Sequence, residues 1–234
     1  MIKALFAAFA LFAILPAAAF AQPADVAAPS SADAPSPWDA RFAAFAAADR
    51  AAPPPAGAVL FVGSSSIRMW SGLETQFGER QIVLNRGFGG SQLSDCVKYL
   101  QRLVIRYQPR TVLVYAGDND LAAGSTPEQV LARFTAFVQG VHRALPDTRI
   151  DFISIKPSPL RAALTPAIRA ANGLIRDYVA TQPDLVYIDV YTPMLDAAGN
   201  PRRELFRDDS LHLNSDGYAL WKKVITPYVL QAAN

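Results

Sequence analysis

Residues 58–67 read Ala58-Val59-Leu60-Phe61-Val62-Gly63-Ser64-Ser65-Ser66-Ile67, and this stretch decides the fold. Its first half is an unbroken apolar run, the pattern of a strand buried on both faces of a sheet. A glycine and three serines stop the run, and Ile67, Met69 and Trp70 then restart an apolar pattern at helical spacing. A buried strand that passes through a polar turn into a helix opens a β-α unit. Four more short runs rich in Val, Ile, Leu, Phe or Tyr follow, at residues 82–84, 111–115, 150–155 and 185–188. Helical patterns fill the gaps. The clearest spans residues 127–145, where Val130, Phe134, Phe137, Val138, Val141 and Leu145 line one face. Ser125-Thr126-Pro127-Glu128 begins it with a capping-box pattern and a proline in the first turn. A last helix is expected over residues 216–230, after Asn214-Ser215. This alternation predicts an α/β fold of three layers, a five-stranded parallel sheet between two layers of helices. In such sheets ligands bind beyond the carboxyl ends of the strands, so polar blocks that follow strands are where chemistry is expected.

Upstream of the sheet, Trp38, Phe42 and Phe45 share helical spacing, and Pro53-Pro54-Pro55 ends that helix. Residues 22–37 are rich in Ala, Pro, Ser and Asp, carry no apolar period, and read as a disordered linker. Residues 1–21 read as an export signal: Lys3, an apolar stretch over residues 4–15, and the small-x-small pattern Ala19-Phe20-Ala21. The apolar stretch is shorter than the roughly 20 residues a membrane span needs. The expected organisation is therefore a signal peptide over 1–21, a linker over 22–37 and one folded domain over 38–234, with a periplasmic or secreted address.

Charge and cysteine content narrow the partners. Losing the signal removes one of 22 basic residues and none of the 20 acidic ones, which leaves a net charge near zero. That balance points away from a nucleic-acid or anionic-membrane partner. The lone Cys96 cannot form an internal disulfide, and its apolar-periodic setting reads as a small buried hydrophobe.

Four polar blocks remain. Gly63-Ser64-Ser65-Ser66 follows the first strand, where a serine at a helix start sits among backbone N–H groups that favour developing negative charge. The bland reading is that these serines only cap the helix. Ile67 stands where a Gly-x-Ser-x-Gly elbow needs glycine. Asn85-Arg86-Gly87-Phe88-Gly89-Gly90-Ser91 follows the second strand, and its glycines let a backbone N–H approach a ligand. A dinucleotide loop is the rival there, but Gln92 occupies the place of the third glycine. Gly117-Asp118-Asn119-Asp120 follows the third strand. Its asparagine amide can donate to an oxyanion, against the plainer reading of a turn.

The last block is Asp209-Ser210-Leu211-His212. The chain has two histidines, so a base that works near neutral pH has few candidates. A carboxylate three residues before His212 can hold one ring nitrogen and leave the other free to take a proton. The other histidine, His142, lies near the end of the long helix, where a cation suits the helix C-terminus.

Taken together, Ser, Gly, Asn and an Asp-x-x-His pair in this order resemble the SGNH hydrolases, also called the GDSL esterase/lipase family. The resemblance covers residues 38–230. The match is close to the subset with Gly-Ser-Ser-Ser-Ile and Asn-Arg-Gly-Phe-Gly-Gly blocks. The residues alone leave the nucleophile open among Ser64, Ser65 and Ser66; the resemblance implies Ser65. It also implies Gly90 and Asn119 as oxyanion-hole donors beside the Ser65 N–H, and Asp209 and His212 as the rest of a triad. The implied fold is a flavodoxin-like three-layer sandwich. Ser64 and Ser66 stand where the family name has Asp and Leu. The implied activity is serine-ester hydrolysis of short acyl or O-acetyl esters on a small-molecule, glycan or lipid substrate, with no metal or organic cofactor. Oligomeric state is left open. Rival readings are a non-catalytic polysaccharide-binding module on the same fold and an acyltransferase with the same triad. Arg86, Lys156, Ser158 and Trp70 are candidates for pocket walls, or equally for structural side chains.

Overall fold

All five apolar runs are strands in the computed structural model, which describes residues 36–78 and 81–231. They are β1 Val59–Gly63, β2 Val83–Gly87, β3 Thr111–Tyr115, β4 Arg149–Ile153 and β5 Leu185–Ile188. The sheet order is β2-β1-β3-β4-β5, and every neighbouring pair is parallel. Chain progression reverses beside β1, so the ends of β1, β2 and β3 open into one crevice. The signal reading of residues 1–21 lies outside the described residues, as does the linker reading up to residue 35.

The helices are α1 Asp39–Ala51, α2 Ser65–Arg68, α3 Leu93–Lys98, α4 Leu100–Leu103, α5 Asp118–Ala122, α6 Pro127–Ala144, α7 Thr165–Val179 and α8 Ser215–Gln231. Alternation along β1 sorts the core into two layers. Leu60 and Val62 face a cluster with Phe42, Leu93, Phe134 and Ile175, from α1, α3, α6 and α7. Val59 and Phe61 face a second cluster with Ile67, Trp70, Trp221 and Ile225, on the side of α2 and α8. These are the two outer layers of an α/β/α sandwich. The α6 stripe buries Val130, Phe134, Phe137, Val138 and Val141, each worth about 1.5–3 kcal/mol when fully removed from water. The start of α6 is capped reciprocally: Thr126 Oγ1 accepts from the Gln129 N–H at 3.3 Å, and Gln129 Oε1 accepts from the Thr126 N–H at 3.0 Å.

The bounds of β2 and β4 differ from the sequence expectation. β2 begins at Val83 and continues through Asn85, Arg86 and Gly87, which side-chain polarity assigns to a loop. Their backbones pair in register with Phe61, Val62 and Gly63, and that ladder prevails. β4 stops at Ile153, because the Ser154 hydroxyl accepts the N–H groups of Val190 and Tyr191 just after it.

Gly63 closes β1 at φ 132°, and a Cβ there would lie 1.9 Å from the Tyr115 carbonyl oxygen. Only glycine lets β1 press against β3 at this point and turn into α2. That turn sets the direction of the side chain at position 65.

Candidate active site

The three serines after β1 have different surroundings. Ser64 and Ser66 are buried, and the Ser64 hydroxyl has no hydrogen-bond partner. Ser66 lies under the Tyr218 hydroxyl, which donates to its carbonyl oxygen at 2.9 Å. Ser65, the first residue of α2, is half-buried and faces an open cleft. Its Oγ lies 3.0 Å from His212 Nε2. The alternatives left open by the sequence thus reduce, on geometry, to Ser65.

The His212 ring is held from the other side. Its Nδ1 lies 2.6 Å from Asp209 Oδ2. The second carboxylate oxygen, Oδ1, accepts the backbone N–H groups of His212 at 2.8 Å and Leu211 at 2.9 Å. The intervening Ser210 takes φ 56°, a left-handed turn that brings the carboxylate back under the ring. With Nδ1–H donating to a carboxylate, Nε2 is left to accept a proton from Ser65. Partial burial pushes the Asp209 pKa up, and it is outweighed by the His212 backbone N–H, the His212 ring and the Leu211 N–H, which bring it down to about 2.

Three donors belong to residues that border the Ser65 cleft. The backbone N–H groups of Ser65 and Gly90 donate to nothing within the described protein. The Asn119 amide donates one hydrogen to the Ser91 carbonyl at 3.0 Å, which leaves its second hydrogen free. Its oxygen accepts from Arg161 at 2.9 Å, so the amide cannot turn end for end without losing both bonds. Ser65, Gly90, Asn119 and His212 line one cleft of about 530 Å³, together with Trp38, Arg41, Arg68 and Leu211. A larger hollow of about 730 Å³ lies over Pro159, Leu195 and Glu204, and none of these four residues lines it.

Beneath the cleft lies a charged layer in which two arginines that sequence pattern did not single out meet Lys156 and the aspartates of the third block. Arg161, in the 3-10 helix Pro159–Leu164, reaches Asp118 at 3.0 Å as well as Asn119. Lys156 is buried 3.6 Å from the same Asp118 carboxylate, and burial lowers its pKa against the opposing pull of Asp118. Asp120 is fully buried; it accepts the Leu93 N–H at 3.0 Å and pairs with Arg133 at 2.6 Å. The third block thereby fastens the start of α3 to α6. Arg161 and Arg133 carried no sequence signal, because each is an isolated arginine on a helix and only the tertiary fold brings it to the block.

Of the candidate pocket walls, Lys156 and Ser158 are buried in this underlying layer. Arg86 is buried elsewhere, 2.6 Å from Asp49. Trp70 belongs to the core, 2% exposed. Burial pushes the Cys96 thiol pKa up, in keeping with an inert core position. His142 Nε2 lies 3.0 Å from the Thr148 carbonyl and 3.1 Å from Asp184, at the end of α6. Among the described residues, no three His, Cys, Asp or Glu side chains gather as metal ligands would, and no helix is long and apolar enough to cross a membrane.

The sequence profile of the GDSL-like lipase/acylhydrolase family matches residues 56–220. The chain belongs to this family. It is an ester-hydrolysing enzyme by that membership. A GDSL-like lipase from Bacteroides thetaiotaomicron superposes with a TM-score of 0.70 at 19% identity, covering 82% of this chain and 98% of that one. A lipase/acylhydrolase from Enterococcus faecalis gives 0.61 at 19% identity, covering 74% and 95%. A family 3 carbohydrate esterase from Talaromyces cellulolyticus gives 0.60 at 19% identity, covering 75% and 97%. At such identities the likeness speaks for the shared fold. No curated protein matches the sequence.

Proposed function

We propose that this GDSL-family enzyme is a serine esterase of short acyl or O-acetyl esters, with Ser65, His212 and Asp209 as its triad. The observation that carries the reading is the unbroken relay from Asp209 through the imidazole to the Ser65 hydroxyl. His212 Nε2 takes the Ser65 proton as Oγ forms a bond to the acyl carbon. The carbonyl oxygen becomes an oxyanion, held by the Ser65 and Gly90 N–H groups and the free Asn119 amide hydrogen. Asp209 fixes the ring orientation and stabilises the imidazolium. The C–O bond to the alcohol then breaks, and His212 returns its proton to the departing oxygen. Water, deprotonated by the same imidazole, releases the acyl group and restores Ser65. A cleft of about 530 Å³ lies toward the lower part of the range for small-molecule sites, which supports a compact acyl group.

Export remains part of this reading: the 1–21 signal pattern supports a periplasmic or secreted enzyme acting on envelope or environmental esters. Mass measurement of protein recovered outside the cytoplasm should give an N-terminus at Gln22. The enzymatic test is a panel of aryl esters of increasing acyl length, run beside Ser65→Ala, with a fluorophosphonate as covalent probe. The expected result is turnover that falls with chain length, and labelling that vanishes in Ser65→Ala. An unlabelled, inactive wild type would return the chain to a binding role on an esterase scaffold.

A further inference from the structure

Two arginines share the cleft with Ser65 and His212, and neither is neutralised. Arg68 is the last residue of α2, one helical turn after Ser65, so it stands on the same side of that turn. Its guanidinium lies over Gly89, where a Cβ would come within 2.6 Å of Arg68 Nε. The bare glycine backbone is what admits the arginine beside the oxyanion hole. Arg41 reaches the same cleft from α1. Its Nε donates to the Gly87 carbonyl at 3.1 Å and its guanidinium stacks 4.5 Å above the Phe45 ring, which leaves its terminal nitrogens uncommitted.

The nearby acids are engaged elsewhere. Asp49 is consumed by Arg86 and the Tyr107 hydroxyl, each at 2.6 Å. Glu74 accepts the Asn85 N–H at 2.9 Å and lies 3.9 Å from Arg86. Among the described residues neither Arg41 nor Arg68 has an ion-pair partner. Burial, followed by the Arg68 and Arg86 charges, holds the Arg41 pKa below the usual guanidinium range. Bringing two like charges into one cleft carries an electrostatic cost that an anion between them would offset. The planar fork of a guanidinium suits an oxyanion with two or three equivalent oxygens. Trp38, fixed by its indole N–H to the Gly89 carbonyl at 2.8 Å, supplies an apolar wall for the uncharged part of such a ligand.

We propose that Arg41 and Arg68 select esters whose alcohol portion carries a carboxylate or phosphate group. This rests on the esterase reading and names its substrate class. The charge is assigned to the alcohol portion because the compact acyl group of the esterase reading, an acetyl at its smallest, has no room to carry one.

The test compares 4-acetoxybenzoate and 4-acetoxyphenyl phosphate with the neutral methyl 4-acetoxybenzoate, in wild type, Arg41→Gln, Arg68→Gln and the double variant. The readout is the ratio of kcat/KM for each anion to that for the neutral ester, which is independent of the fraction of folded enzyme. Losing one charge-assisted contact should lower the ratio at least about tenfold, and the double variant should lower it further. Raising salt from about 0.05 to 0.5 M should erode the ratio in wild type and leave it level in the double variant. The anion with the larger wild-type advantage identifies the charged group. Ratios that stay constant across all four proteins, or kcat/KM values that fall equally for all three esters, overturn the inference while leaving the esterase reading in place. A wild type that hydrolyses none of the three overturns both.

Discussion

Ser65 Oγ lies 3.0 Å from His212 Nε2, although 147 residues separate them along the chain. The serine is placed by the Gly63 turn at the end of β1, and the imidazole by the Asp209 loop that leads into α8. Neither position depends on the other side chain, so each can be removed without collapsing its support. Groups that act as one unit lose their effect together. Ser65→Ala and His212→Ala should therefore each reduce kcat by at least about 10⁴, and the double variant should be no slower than either single one. Steady-state kinetics on one aryl acetate decides this; multiplicative losses would mean that the two residues act independently.

Asn119 and Arg161 form a second such pair, joined at 2.9 Å; in the proposed mechanism the first donates to the reacting oxygen and the second holds it in place. Asn119→Ala should cost about 10²–10³ in kcat, the usual loss for one oxyanion donor. Arg161→Met removes the hydrogen bond that fixes the Asn119 oxygen, and should cost about 10- to 100-fold in kcat with a smaller change in KM. On this reading Arg161 acts through Asn119, so adding Arg161→Met to Asn119→Ala should cost little more. Full additivity in that cycle would make Arg161 merely structural.

Asp209 is ionised far into acid. Its folded pKa, about 2, lies below the unfolded carboxylate value, so its contribution is complete above the unfolded value and is lost only as pH falls through about 2. An acid limb of kcat/KM at higher pH therefore does not come from Asp209. Asp209→Asn keeps an oxygen for the backbone N–H groups but removes the charge that favours the imidazolium. In that variant kcat should fall by about 10³–10⁴. Steady-state kinetics at about pH 7 on both proteins checks it; a loss of less than about tenfold would remove Asp209 from the triad.

The strands were legible in the sequence because burial on both faces writes itself as continuous apolar runs, as in residues 59–62 and 111–115. The α6 stripe and its capping pattern were legible for the same reason, a period matched by a start signal. The four blocks were legible in composition and order, since each follows a strand or precedes α8. Choosing Ser65 over Ser64 and Ser66 required the turn angle at Gly63, which adjacent identical residues cannot reveal. Arg161 and Arg133 were invisible, because a lone helical arginine looks the same whether it meets water or a buried carboxylate. The extension of β2 through Asn85 and Arg86 was hidden by polar side chains whose partners, Ile67 and Asp49, lie on other elements.

Arg86 illustrates the last point and carries a prediction of its own. Its Nη2 lies 2.6 Å from Asp49 Oδ1, the two side chains are 6% and 9% exposed, and the Tyr107 hydroxyl donates to the other carboxylate oxygen. The guanidinium also lies 4.5 Å above the Tyr107 ring. Arg86→Met would keep the aliphatic volume but leave Asp49 buried without its cation, a loss of about 3–5 kcal/mol. Adding Asp49→Leu should restore most of that stability, because replacing both partners with apolar groups removes the uncompensated charge. Urea unfolding at pH 7 measures both effects. If Arg86→Met unfolds at the wild-type midpoint, the pair is not what pins α1 to β2.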